Sequence, residues 1–193
     1  MKVAIIKYNA GNVQSLTFAL NRLGVDPILT DDPAQLQSAD KVIFPGVGEA
    51  STAMNYLREN QLDQVIKEIR QPFLGVCLGL QLMCRHTEEN DTDCIGVFDL
   101  AVKKFDATEK VPHMGWNTIH HLKGPLFQGV DEGAYLYFVH SFYAVEDSAT
   151  IANCGYANPF SAALQKNNFY AVQAHPEKSS AAGQKILENF LAL

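Results

Sequence analysis

The sequence predicts an α/β fold: a doubly wound, mostly parallel sheet flanked by helices, with additional antiparallel strands in the second half. Two observations carry this. Short β-branched runs alternate with amphipathic stretches from the start of the chain to about residue 86, the pattern of parallel strands joined by crossover helices. Beyond that point strand-like runs dominate and turn signals separate them, as antiparallel pairing requires. The 193 residues fit one domain spanning 1–193. A core of that size buries about 70% of the unfolded surface, so neither disulfide nor metal is needed to hold it.

Residues 2–6 (KVAII) read as the first buried strand. Gly11 and Asn12 open a helix with Val13, Leu16, Leu20 and Leu23 on one stripe, closed by Gly24. Residues 26–30 read as a second strand. Asp31, Asp32 and Pro33 start a short helical turn, and 41–44 (KVIF) form a strand ended by Pro45-Gly46. Apolar positions predict one or two helices over 50–69, a strand over 72–76 (PFLGV) and a helix over 78–86. Strands are expected at 95–102, 117–121, 135–139, 150–154, 161–165 and 168–173. An amphipathic helix follows at about 179–192. In a doubly wound sheet, functional residues are expected outside the carboxyl ends of the strands.

Charge and cysteine usage narrow the function classes. Fifteen Lys and Arg stand against 21 Asp and Glu, for a formal net charge of -6. That balance argues against a phosphate-backbone binder, so no nucleic-acid partner is expected. No apolar run approaches the roughly 18 residues that span a bilayer, so no membrane partner is expected either. Cys77, Cys84, Cys94 and Cys154 form no C-x-x-C pair, and no Cys/His spacing suits zinc. Without a secretory pattern at the start, a cytoplasmic address is the default.

The sharpest motif is Gly75-Val76-Cys77-Leu78-Gly79, between an apolar strand and a helical stretch. It has the form of a nucleophile elbow with Cys in place of Ser. The flanking glycines remove Cβ atoms that would clash in the turn. The following helix points its positive end at the sulfur, and the free N–H of Leu78 offers one oxyanion donor. The same pentapeptide also suits a buried cysteine at a glycine-flanked strand end. Cys84 reads as packing on the same helix.

A cysteine nucleophile needs a base, and the base needs an orienting group. His175 stands in Ala174-His175-Pro176-Glu177, directly after a strand. Pro176 keeps His175 extended, so Glu177, two residues on, shares its side of the chain. Phe44-Pro45-Gly46-Val47-Gly48 also ends a strand, and its glycines let the N–H of Val47 or Gly48 turn toward a developing oxyanion. Gln81, one helical turn past Cys77, either binds a polar substrate or faces solvent.

Together these motifs resemble the class I (triad) glutamine amidotransferases, on a flavodoxin-like scaffold. Pro112-His113-Met114-Gly115-Trp116-Asn117, Tyr137 to Tyr143 (YFVHSFY) and Gln173 to Ser179 (QAHPEKS) are further similar to the glutaminase subunits of imidazole glycerol phosphate synthases. That resemblance covers essentially the whole chain. It implies Cys77 as nucleophile, His175 as base and Glu177 as its orienting carboxylate. Val47, Gly48 and Leu78 would serve the oxyanion. Gly46, Gln81 and the His140-Ser141-Phe142 stretch would hold L-glutamine. Asn12, Met114, Trp116 and Lys178 would face a TIM-barrel cyclase partner in a heterodimer that makes imidazole glycerol phosphate and an aminoimidazole carboxamide ribotide. No cofactor and no metal are implied.

Lys7, Asn9 and Glu49 depart from the family's usual residues. Glu49 gives Pro-Gly-x-x-Glu-x-Ser-Thr, faintly similar to the glutaminase subunit of pyridoxal phosphate synthase. A glutaminase feeding that synthase or a sugar-amidination paralogue is therefore the alternative. A free-standing cysteine hydrolase, such as a γ-glutamyl hydrolase, lacks a use for Met114 and Trp116. A non-enzymatic regulator on the same scaffold lacks a use for the Cys, His and Glu set.

Overall fold

The computed structural model describes residues 1–9 and 13–193. Gly11 and Asn12, expected to open the first helix and to face a partner, lie outside the described residues. β1 (Val3–Ile6) is buried along its whole length. α1 (Val13–Arg22) buries Leu16, Ala19 and Leu20. It stops at Gly24, whose φ of +77° lets the Val25 N–H return to the Leu20 carbonyl. After β2 (Ile28–Thr30), α2 (Pro33–Gln37) starts on Asp32, whose carboxylate accepts from the Ala34 N–H.

β3 (Lys41–Phe44) leads through Pro45–Gly48 into α3 (Ala50–Glu59), followed by α4 (Leu62–Glu68). Glu49 caps α3, its carboxylate accepting from the N–H groups of Ser51 and Thr52 at 2.7 and 3.0 Å. These bonds hold its pKa down to about 2. β4 (Phe73–Val76) leads through Cys77 to α5 (Leu78–Met83). This helix is shorter than expected, because Cys84 is already extended. The chain there turns into β5 (His86–Thr87), paired with β6 (Thr92–Asp93). Both are too short to leave a periodic pattern.

The expected strand at 95–102 is present only as β7 (Ala101–Lys104). Upstream of it, the N–H groups of Ile95 and Phe98 are drawn to the carbonyls at the end of α5 instead of to a neighbouring strand. The strand expected at 117–121 lies earlier, as β8 (His113–Thr118), and pairs with β9 (Tyr135–His140). β10 (Phe142–Ala144), unforeseen in the sequence, joins β7. β11 (Thr150–Gly155), β12 (Pro159–Lys166), β13 (Phe169–Val172) and α6 (Ser180–Ala192) fall where expected.

The main sheet has seven strands in the order β11-β12-β13-β4-β3-β1-β2. The run from β13 to β2 is parallel, and β12 and β11 extend it antiparallel. Alternate residues of each parallel strand enter opposite cores. Val3 and Ile5 pack with α1 and α6 on one face. Ala4 and Ile6 pack with α3, α4 and α5 on the other. Smaller sheets β10-β7-β5-β6 and β8-β9 stand beside it. Because β3, β4 and β13 are parallel neighbours, their carboxyl ends share one edge. The Pro45–Gly48 segment, Cys77 and His175 all follow those ends. Among the described residues, no helix is long and apolar enough to cross a membrane.

Candidate active site

Cys77 takes φ 52° and ψ −107°, a strained conformation for a residue bearing Cβ. Tight packing imposes it. A Cβ on Gly79 would sit 2.1 Å from the Phe44 carbonyl oxygen, and one on Gly75 would sit 2.5 Å from the Met83 sulfur. The glycines therefore let α5 press against the ends of β3 and β4, which lifts Cys77 at the strand-to-helix junction. The sulfur has the Val139 carbonyl at 3.7 Å and receives the Gln173 Nε2–H at 3.6 Å. The other cysteines are chemically quiet by comparison. Burial pushes the thiols of Cys94 and Cys154 up to about 12 and that of Cys84 higher still.

His175 leaves β13 extended, at φ −100° and ψ 93°. The next three residues form a 3-10 turn, Pro176–Lys178, instead of continuing extended. That turn still brings Glu177 beside its histidine, with Glu177 Oε1 2.9 Å from His175 Nδ1 and both side chains 3% exposed or less. Burial opposes a charge on the imidazole. The Cys77 sulfur and the Glu177 carboxylate outweigh it and raise the His175 pKa to about 10. The turn is fixed by Ser179, whose hydroxyl donates to the His175 carbonyl and accepts from the Tyr137 N–H.

A cleft of about 340 Å³ opens over these groups. Its lining includes Val47, Gly48, Cys77, Leu78, Gln81, His140, Ser141, Phe142, His175 and Lys178, so most residues singled out in the sequence meet here. Gly46 lies beneath them, in a small void shared with Glu177. Met114 and Trp116 do not enter the cleft. They stand exposed on β8, at 63% and 52%. Trp116 borders a neighbouring groove of about 590 Å³ that also touches Pro176, Glu177 and Lys178. Lys178 thus reaches both surfaces.

One expectation changes. The Leu78 N–H, expected to be free, donates to the Gly46 carbonyl at 3.3 Å. In a trans peptide the C=O and the next N–H point in opposite directions. With the Gly46 oxygen on Leu78, the Val47 N–H points away from that position. The Gly46 carbonyl thus engages the N–H that was expected to serve an oxyanion.

Gln81 is buried, so it does not face solvent. Its Nε2 donates to the Phe142 carbonyl at 2.9 Å and to Gln173 Oε1 at 3.0 Å. Only its oxygen remains for a ligand. Glu89, Pro112 and Val139 line the cleft without having been singled out. Glu89 arrives on the turn between β5 and β6, and its Oε2 accepts from the Ala50 N–H at 2.8 Å. Partial burial raises its pKa. Nothing local in the Glu88-Glu89 pair signals this. Gln173, fully buried, was likewise unmarked apart from its place before the histidine motif.

Behind the cleft, two buried histidines form a relay. His140 Nδ1 lies 2.7 Å from the Phe142 carbonyl, which can only accept, so His140 Nε2 is the acceptor for His113 Nδ1–H at 3.0 Å. Asn117 Nδ2 then donates to His113 Nε2 at 3.3 Å. Burial lowers the His113 pKa to about 4 and, with the other nearby histidines, the His140 pKa to about 3. Both bind a proton more weakly folded than unfolded. The stability they confer is complete above about pH 6.5 and drains as pH falls through those values. Urea unfolding at pH 7 and 5.5 should show stability falling on acidification, and a His113→Asn chain should show a shallower fall. An equal slope in the variant would place His113 outside this linkage. His175 acts in the opposite direction, losing its contribution as pH rises toward 10.

Among the described residues, no group of three or more His, Cys, Asp or Glu is arranged to hold a metal ion. The constellation suits acyl transfer: a thiol on a strained elbow, an imidazole oriented by a buried carboxylate, and above them a largely apolar cleft that carries Gln81, Glu89 and Ser141.

Comparisons with known proteins agree. The chain is 58% identical to the imidazole glycerol phosphate synthase subunit HisH of Bacteroides fragilis (strain YCH46), with both chains covered in full. It is 47% identical to the subunit of the same name from Escherichia coli (strain K12), again over both full lengths. Against the Vibrio parahaemolyticus subunit it is 46% identical, covering 100% of this chain and 98% of that one. A crystal structure of a glutamine amidotransferase shares the fold with a TM-score of 0.76 at 17% identity, over 98% of this chain and 97% of that one. PurLQS from Thermotoga maritima gives a TM-score of 0.74 at 15% identity, over 99% and 97%. The family profile described as glutamine amidotransferase class-I matches residues 4–193, and with it the chain is placed as a member of the class-I glutamine amidotransferases.

Proposed function

We propose that this chain is the glutaminase subunit of an imidazole glycerol phosphate synthase, acting in histidine biosynthesis. The observation that carries the chemistry is Cys77 on its elbow beside the buried His175–Glu177 pair, at the floor of one cleft. The full-length likeness to HisH subunits carries the pathway.

Cys77 attacks the side-chain carboxamide carbon of L-glutamine while His175 holds the thiol proton. The tetrahedral oxyanion is received by the Leu78 N–H and, after the Gly46–Val47 peptide turns, by the Val47 N–H. His175 gives its proton to the departing ammonia, leaving a γ-glutamyl thioester on Cys77. Water, deprotonated by His175, hydrolyses it to glutamate. At the far end of the cleft, the Gln81 oxygen and the Glu89 carboxylate suit the substrate's α-ammonium, and the His140–Phe142 stretch frames it. A Glu89→Gln chain should raise KM for glutamine about tenfold with little change in kcat, since one charge-assisted contact is lost equally from ground and transition states. An unchanged KM would remove Glu89 from the binding set.

Ammonia released in this cleft is useful only if it reaches an acceptor unprotonated, so the partner is a cyclase subunit. Met114, Trp116 and Lys178 form the docking surface beside the catalytic cleft, with Trp and Met enriched at interface cores. Asn12 was assigned to the same surface from the sequence alone. The pyridoxal phosphate synthase reading rested on Glu49. Here that residue serves as the N-cap of α3, a local role that points to no partner. The test is glutamine-dependent turnover by this chain with a cyclase subunit, compared with turnover on ammonium salt. Failure of both the complex and the glutaminase activity would reject the proposal.

A further inference from the structure

We infer that Tyr8 is a positioning residue for the oxyanion site: its hydroxyl anchors the Pro45 carbonyl as the fixed end about which the Gly46–Val47 peptide turns. This rests on the glutaminase reading above and adds a residue that the reading does not use.

Tyr8 follows β1, and its ring packs on Phe44 with centroids 5.3 Å apart. Its hydroxyl donates to the Pro45 carbonyl at 2.5 Å, in a buried setting. Burial, and then the nearby Cys77, push its pKa far up, so it stays protonated and a donor. The pyrrolidine ring locks φ of Pro45. With its carbonyl held as well, ψ of Pro45 is fixed, so the Pro45–Gly46 peptide does not rotate.

The next peptide differs. Its carbonyl rests on the Leu78 N–H through a long, 3.3 Å bond. The torsions flanking it are ψ of Gly46 and φ of Val47, and neither belongs to a locked residue. Counter-rotation of those two torsions turns one peptide plane and leaves both ends in place. The motion withdraws the Gly46 oxygen and presents the Val47 N–H. Close quarters enforce glycine at the pivot. A Cβ on Gly46 would lie 2.7 Å from the Tyr8 hydroxyl and 2.7 Å from Leu78 Cβ. Tyr8 and Leu78 therefore grip the segment together, one on each carbonyl. Without the Tyr8 hydroxyl, rotation would spread back into Pro45, and fewer turned conformers would place the Val47 N–H correctly.

The experiment compares the full-length chain and its Tyr8→Phe variant, each in complex with the cyclase subunit and that subunit's nucleotide substrate. Phenylalanine keeps the ring against Phe44. Glutamine-dependent kcat should fall about tenfold, the scale of one or two lost hydrogen bonds, with KM for glutamine unchanged. Alkylation of Cys77 by iodoacetamide, which needs no oxyanion donor, should proceed at the parent rate, as should turnover on ammonium salt. A Pro45→Ala variant, which frees the same fixed end by another route, should reproduce the loss in kcat. Parent-like kcat in Tyr8→Phe would overturn the role. So would a loss matched by slower alkylation and slower ammonium turnover, which marks general damage. A parent chain that hydrolyses no glutamine in the complex would reject the glutaminase reading, and the Tyr8 role with it.

Discussion

A Cys77→Ala chain is expected to hydrolyse glutamine at a rate lower by roughly 10⁴–10⁶, the cost of deleting a nucleophile whose partners act only through it. Cys84→Ala should retain most activity, because that thiol is fully buried and held in its protonated form. A glutamine-analogue electrophile should label Cys77 alone. The complex carrying Cys77→Ala should still turn over on ammonium salt, since the partner's chemistry does not use the thiol. Labelling at Cys94 with Cys77 untouched would refute the assignment. Replacing Glu177 should cost less than replacing Cys77 or His175, because it orients the base without itself reacting.

The second expected result concerns activation. The isolated chain should hydrolyse glutamine about 10²–10³ slower than the complex whose partner holds its nucleotide substrate, the contribution of an oxyanion donor. In the proposed mechanism the Gly46 carbonyl must first leave the Leu78 N–H that it now engages. One rotation changes both sides of the balance, because it frees Leu78 and brings in Val47. The groove bordered by Trp116, Pro176, Glu177 and Lys178 adjoins the triad, so a partner seated there bears on the segment carrying His175 and Glu177. Steady-state rates for the chain alone, with partner, and with partner plus nucleotide measure the effect. Equal rates in all three conditions would mean that the carbonyl leaves without assistance.

Local pattern was enough for much of the molecule. Four-residue apolar runs such as 41–44 form strands buried on both faces. The i, i+4 stripe of Leu16 and Leu20 forms the buried side of α1. The elbow was legible because glycines at fixed distances from Cys77 answer a steric demand within a few residues of it. His175 and Glu177 were legible as a pair because two residues separate them, although a 3-10 turn and not an extended segment joins them.

Local sequence thus set the ends of β3, β4 and β13 and the chemistry that follows each of them. Tertiary packing settled that β13 pairs with β4, setting His175 beside Cys77. It alone brought Glu89 into the cleft from the turn between β5 and β6, set Gln173 between Gln81 and Cys77, and laid Tyr8 on Pro45. It also decided that the Leu78 N–H is engaged by Gly46. The difference is one of range. Periodicity and steric spacing are written within a turn or a strand, where neighbours along the chain are neighbours in space. A hydrogen bond between two strand ends depends on which strands pair and at what register, and that is fixed by how both cores fill rather than by the residues at either end.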